Sequence, residues 1–212
     1  MKKMTALTML SVLALSAPVA APAADTGWYA GAGGGASRYK GDGSDFAPLL
    51  PGEVLTTTNL QDTSTGWKLF AGKQFNENWA VEFAYTSFGK FSRNSNVTGG
   101  VGGGTGVEYA EVRPECWSLS ALGIFPLGNN FSLLGRAGIC QWEDGANAFE
   151  TITGTVTPET PQTTGTNLTF GLGAKYDFTN NWGMRIEWER FQKIIHNTNS
   201  VDLYSASLQY GF

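Results

Sequence analysis

The sequence has little of what soluble enzymes use for chemistry. Its 212 residues include one histidine, His196, and two cysteines, Cys116 and Cys140. One histidine and two cysteines cannot assemble a familiar zinc site, so we expect no metal centre. Charged residues make up only 15% of the chain, and no basic patch is present that would indicate nucleic acid as a partner.

Long apolar runs are also missing, because no segment after the first 25 residues approaches the ~20 continuous apolar residues of a transmembrane helix. The start, "MKKMTALTMLSVLALSAPVAAPAAD", has two lysines, a short apolar stretch and then small residues. This pattern indicates a secretory signal peptide. We predict a signal peptide over residues 1–24 and a single domain over residues 25–212.

The glycines near the start of this domain need an explanation. Gly31, Gly33 and Ala36 match the G-x-G-x-x-[GA] fingerprint of a dinucleotide-binding turn. That fingerprint requires a following amphipathic helix, and the residues after Ser37 contain no apolar run at helical spacing. We therefore expect no cofactor, and we interpret the segment as a strand whose glycines suit a tightly curved wall.

Three short segments resemble one another: "FNENW", "FPLGNNF" and "FTNNW", which begin at Phe75, Phe125 and Phe178. Each is an asparagine-rich turn with an aromatic residue on both sides, as expected between antiparallel strands. The flanking segments alternate with period two, as in "WAVEFAYTSF" after the first turn and "YSASLQYGF" at the C-terminus. The pattern predicts eight strands, over residues 27–39, 65–75, 79–90, 108–125, 131–145, 164–178, 182–193 and 200–212.

One end of every predicted strand carries an aromatic residue, which is typical of a girdle at a membrane interface. The fold class is then all-β, an eight-stranded antiparallel up-and-down transmembrane β-barrel. Its longer connections, over residues 40–64, 91–107, 146–163 and 194–199, are expected outside the cell, and the first three should be mobile. The predicted girdle consists of Trp28, Phe75, Trp79, Phe125, Phe131, Phe178, Trp182 and Phe212.

The chain resembles the small OmpA-type outer-membrane β-barrels. The segments that carry the resemblance are "GWYAGAG", "GWKLFAGKQFNENWAVEFAY", "LTFGLGAKYDFTNNWGMRIEW" and the final "LQYGF". The resemblance implies location in the outer membrane of a Gram-negative bacterium, without the peptidoglycan-binding domain of the best-known member. It also implies that the terminal aromatic pattern is read by the outer-membrane insertion machinery.

Period two places a balanced set of charges inside the barrel. The resemblance implies inward charges at Glu82, Arg136, Arg185 and Glu187, whereas Lys175 stands where the family has a glutamate and Leu122 where it has a lysine. Glu82, Lys175 and Arg185 lie equally far up their strands, so we expect them to pair. The predicted lumen charge cluster is Glu82, Arg136, Lys175, Arg185 and Glu187.

The two cysteines lie twelve residues on either side of Gly128. An uninterrupted hairpin places them opposite one another, both facing inward, near the outer end of strands four and five. We predict a Cys116–Cys140 disulfide, with two free thiols as the alternative.

The function expected from these features is structural or interactive, in adhesion or envelope integrity, with a lumen plugged by paired charges. We expect a monomer without catalytic residues, whose partners are outer-membrane lipids, lipopolysaccharide and host or cell-surface ligands of its external loops. Two alternatives stay open. One is a small passive channel, porin-like in function; the other is a lipid A-modifying enzyme that uses His196, although Thr198 stands where such enzymes have a serine.

Overall fold

The computed structural model of the chain describes residues 27–41, 53–99, 104–152, 155–159, 162–195 and 197–212. Among these residues there is no helix long and apolar enough to cross a membrane. The described ranges form eleven β-strands. They are β1 (Trp28–Lys40), β2 (Glu53–Gln61), β3 (Thr63–Asn76), β4 (Trp79–Ser87), β5 (Phe91–Gly99), β6 (Gly104–Gly128), β7 (Phe131–Ile152), β8 (Thr155–Glu159), β9 (Gln162–Asp177), β10 (Trp182–Ile195) and β11 (Asn199–Gly211).

Eight of these strands close into a ring in which every neighbour is antiparallel. The order around the ring is β1, β3, β4, β6, β7, β9, β10 and β11, and β11 returns to β1. The first and last strands pair over twelve positions, from Tyr29 opposite Gly211 to Lys40 opposite Ser200. Because the ring has no open edge at membrane level, every backbone group there finds a partner inside the wall. The predicted fold class is confirmed.

The three asparagine-rich segments form the tight turns of the barrel. In the β3–β4 turn, the Asn76 side-chain oxygen accepts hydrogen bonds from the backbone N–H groups of Asn78 and Trp79, both at 2.9 Å. In the β6–β7 turn, Asn129 and Asn130 have φ angles of 51° and 66°. Asparagine tolerates this left-handed conformation, which matches the twist of a two-residue hairpin.

Alternation along the strands separates lipid-facing from lumen-facing side chains. Phe83, Leu172 and Leu208 are 51%, 65% and 55% exposed, whereas Glu82 and Arg185 are each 1% exposed. A shift of one residue in any strand would exchange these two sets, so the register is strongly specified.

The prediction that residues 40–64, 91–107 and 146–163 form loops is wrong over much of their length. Strands β2, β5 and β8 lie within the predicted loops 40–64, 91–107 and 146–163. Strands β6 and β7, which have 25 and 22 residues in all, extend from the barrel into the second and third of these loops. Strand β5 pairs with the distal half of β6, and β2 pairs with β5. Long-range pairing therefore outweighs the glycine- and threonine-rich composition of these segments.

A group of buried side chains, which we call the apolar cluster, fills the lumen toward the extracellular end. Its members come from six of the eleven strands and from the β4–β5 connection, and all are at most 2% exposed. They are Tyr39, Phe88, Phe91, Ala110, Val112, Cys116, Cys140, Trp142, Phe191, Ile194, Ile195, Val201 and Leu203.

Candidate functional site

Six buried ionised side chains from four strands of the ring meet at membrane level in the lumen. We call this group the charged cluster, and it holds three cations and three carboxylates. Each of its side chains is at most 3% exposed. The members are Lys68, Glu82, Arg136, Arg185, Glu187 and Glu189.

Arg185 joins two carboxylates on opposite walls of the lumen. Its guanidinium donates to Glu82 at 2.7 Å and to Glu187 at 2.8 Å. Glu82 also accepts a hydrogen bond from the Tyr29 hydroxyl at 3.1 Å. The Arg185 guanidinium lies 4.6 Å from the centre of the Phe70 ring, so an aromatic face covers the charge from one side.

The other two cations complete the network. Lys68 Nζ lies 2.8 Å from Glu187 and also contacts Glu189. Arg136 contacts Glu82 and Glu189, and lies 3.7 Å from Glu187. Burying an isolated charge costs roughly several kcal/mol. The equal number of opposite charges offsets this cost in the lumen.

The local sequence explains how so many long side chains fit. Arg185, Glu187 and Glu189 alternate along β10, so all three point inward. On the neighbouring strand β9, the residues opposite Glu187 and Glu189 are glycines. A Cβ atom at Gly173 would lie 2.7 Å from Cγ of Glu187, and one at Gly171 would lie 3.0 Å from Cγ of Glu189. Glycine on β9 therefore leaves the room that the β10 carboxylates occupy.

The structure brings together four of the five residues predicted for the cluster, and the prediction for Lys175 is wrong. Lys175 lies on β9 directly opposite Arg185, as expected for two residues that lie equally far up their strands. However, two cations at one level repel each other, and the two side chains have different carboxylate partners. Lys175 turns toward the periplasmic end, where its Nζ lies 3.0 Å from Asp177.

Sequence reasoning missed Lys68, Glu189 and the Tyr29 hydroxyl as members of this site. All three have the parity of inward residues, so alternation places them on the correct face. Alternation does not show which side chains on neighbouring strands lie at the same level along the barrel axis. That level depends on the stagger between strands.

The periplasmic mouth of the barrel opens into a vestibule of about 500 Å³. Between this vestibule and the charged cluster lies a void of only about 10 Å³, lined by Tyr29, Leu122, Lys175 and Arg185 among others. That is roughly the room for one water molecule. The space between the vestibule and the charged cluster is therefore narrow.

The apolar cluster closes the lumen a second time on the extracellular side. The rings of Phe88 and Phe191 meet edge to face, with centroids 4.7 Å apart, and Tyr39 lies 6.0 Å from Phe91. This seal has no ionised group among its members, so its closure depends on packing instead of charge pairing.

The two cysteines lie within the apolar cluster and form a disulfide, with Cα atoms 5.8 Å apart. The expectation that they face each other directly is wrong. Cys116 lies opposite Trp142, and Cys140 lies opposite Ser118. The centre of the hairpin is at Asn129 instead of Gly128, which shifts the pairing by two positions and makes the bridge diagonal.

The eight aromatic residues predicted for the girdle are all at least 44% exposed and lie at the periplasmic ends of their strands. Lys73 Nζ is 5.4 Å from the ring centre of Trp28 and 5.7 Å from that of Phe75. The girdle therefore includes one cation in contact with two of its rings.

The remaining candidates for chemistry do not converge. Gly31 and Gly33 lie within β1, which is followed by no described helix. Within the described ranges, no three His, Cys, Asp or Glu side chains are grouped so that they could hold a metal ion. His196 lies outside the described residues.

Comparison with known proteins agrees with this architecture. A family model described as "outer membrane protein beta-barrel domain" matches residues 7–212. The chain belongs to this family. Membership places the protein in the outer membrane of a Gram-negative bacterium, as the sequence predicted.

The chain is similar to one curated relative and to two solved structures. Outer membrane protein A of Yersinia pseudotuberculosis is 27% identical over 188 residues, which are 88% of this chain and 48% of that protein. The chain thus spans about half the length of this relative. Neisserial surface protein A shares 13% identity at a TM-score of 0.51, with 87% of this chain and 97% of that chain covered. Ail of Yersinia pestis shares 18% identity at a TM-score of 0.49, with coverage of 88% and 99%.

Proposed function

We propose that the protein is a closed, non-catalytic outer-membrane barrel that presents an extracellular β-sheet for surface contacts and contributes to envelope integrity. The observation that carries this proposal is the length of β6 and β7, which have 25 and 22 residues. A barrel strand needs only ~10 residues to cross a bilayer. More than half of each strand therefore lies beyond the hydrocarbon region.

These distal segments are built as a structure of their own. Strand β6 pairs there with β5 and β7, and the inward residues Ala110 and Val112 belong to the apolar cluster. On the opposite face, Val54 and Val107 are 63% and 58% exposed. An ordered sheet with exposed aliphatic side chains, anchored above the membrane, is suited to contact other molecules.

The closed lumen supports the same proposal. An ion would have to cross both the charged cluster and the apolar cluster, and an eight-stranded barrel has little interior beyond its own side chains. We propose that residues 1–24 direct export and are removed, and that the chain is a monomer in contact with outer-membrane lipids and lipopolysaccharide.

Cell-surface assays test the proposal. Cells that produce the protein should adhere to host cells or matrix several-fold better than cells that lack it. The double variant V54K/V107K should lose this gain, because charge replaces the exposed valines. The periplasmic-turn variant N180K is the matched control and should behave as the wild type. Adhesion measures the surface contacts, and uptake of a dye by the cells measures envelope integrity. If cells with and without the protein are equal in both assays, the proposal is contradicted.

The enzyme alternative has its own test. In cells that carry the variant H196A, mass spectrometry of lipid A should show the same species as in wild-type cells. A change in acyl composition would instead indicate lipid A modification and would reject the non-catalytic function.

A further inference from the structure

Lys73 occupies an unusual place in the lipid-facing wall. It lies on β3 directly opposite Trp28 of β1 and Val81 of β4, and its side chain is exposed. It shares the outward parity of Leu69 and Ala71. Its ammonium group is therefore held at the periplasmic membrane interface, level with the aromatic girdle.

Almost every other cation in the described ranges has a carboxylate partner. Ten of the twelve described lysines and arginines lie within 4.0 Å of an acidic side chain. The two exceptions are Lys73 and Lys193, and Lys193 lies at the extracellular end of β10. Arg190, another outward cation, donates to Asp202 at 2.7 and 2.8 Å.

Two aromatic rings flank the Lys73 ammonium. Its Nζ lies 5.4 Å from the Trp28 centroid and 5.7 Å from the Phe75 centroid. These rings are 58% and 56% exposed on the side that faces lipid. A cation between two aromatic ring faces, at the depth of the headgroups, offers charge to a phosphate and apolar surface to the glycerol and acyl chains next to it.

We propose that Lys73, Trp28 and Phe75 form a binding site for the headgroup of an anionic phospholipid in the periplasmic leaflet. The exposed rings favour a lipid over free phosphate, because a soluble anion would leave their apolar faces uncovered. The site does not depend on what the extracellular sheet binds.

Native mass spectrometry of the full mature chain, released from detergent with added phosphatidylglycerol or phosphatidylcholine, tests this site. The wild type should retain phosphatidylglycerol in preference to phosphatidylcholine. K73Q should reduce that retention about fivefold, the factor that corresponds to about 1 kcal/mol for one lysine near an anionic surface. K73R, which keeps the charge, should retain the lipid.

K193Q is the matched control, because it removes the other lysine without a carboxylate partner, and it should leave lipid retention unchanged. Heat-modifiable gel migration verifies that each variant is folded. Equal retention by K73Q and the wild type, or an equal loss in K193Q, would overturn the proposal. Displacement of the lipid by millimolar inorganic phosphate would also overturn it, because the site would then recognise a simple anion.

Discussion

The two seals of the lumen are built by opposite means. At membrane level the charged cluster contains three cations and three carboxylates that contact one another across the lumen. Above it, the apolar cluster contains aromatic and aliphatic side chains around a disulfide. The first depends on equal numbers of opposite charges, and the second depends on volume. The two regions should therefore respond differently to substitution.

The largest effect is expected from R136M. Arg136 contacts all three carboxylates of the charged cluster, so its loss leaves a buried excess of negative charge. We expect the free energy of unfolding to fall by about 5 kcal/mol, the upper end for a broken buried ion pair. Urea unfolding in lipid vesicles measures this. The control K175M removes a cation outside the cluster and should cost about 0–1 kcal/mol; equal losses would contradict the division between Lys175 and the cluster.

Substitution in the apolar cluster should follow volume. F191A removes a fully buried ring that contacts Phe88, and should lower the free energy of unfolding by about 3–5 kcal/mol. F191L keeps much of the volume and should cost less than about 1.5 kcal/mol. The same unfolding assay separates the two variants. A loss of similar size for both would show that packing does not hold this seal.

The disulfide should stabilise the extracellular half in particular. The double variant C116S/C140S is expected to lower the free energy of unfolding by about 2–4 kcal/mol. Hydrogen exchange should become faster in the distal parts of β6 and β7 and stay unchanged at Glu82 and Arg185. Mass analysis of the wild type without reductant should find no alkylated cysteine, and alkylation of both would reject the bridge.

The smallest change in the free energy of unfolding is expected when the charge balance of the charged cluster is restored. Adding E82Q to R136M removes one negative charge and restores equal numbers in the cluster. We expect the double variant to recover about 1–3 kcal/mol of the loss caused by R136M, a typical coupling energy for groups in one network. A double variant less stable than R136M would show that individual contacts matter more than the balance.

The ring of eight strands could be predicted from the sequence because alternation and turn chemistry are local signals. Phe83 and Glu82 are neighbours in sequence, and period two alone assigns them to opposite faces. The asparagine-rich turns fixed where strands end, apart from the one-residue error at Gly128 and Asn129 that displaced the cysteine register.

What could not be predicted depends on contacts between strands. Phe88, Phe91, Ile194 and Ile195 lie at strand ends or in segments expected to be loops, and they are buried only because residues from six strands pack together in the apolar cluster. Lys175 shows the same limit, since parity assigned its face correctly but not its partner. Height and stagger within the barrel belong to the tertiary structure.

Electrical recording in planar bilayers tests the central claim, that two independent seals close this lumen, most directly. We predict no current steps from the wild type, and none from E82Q/R136M, because the apolar cluster stays intact above the altered charges. Regular steps from either protein would contradict the account, since ions would then have crossed packed side chains that leave them no path.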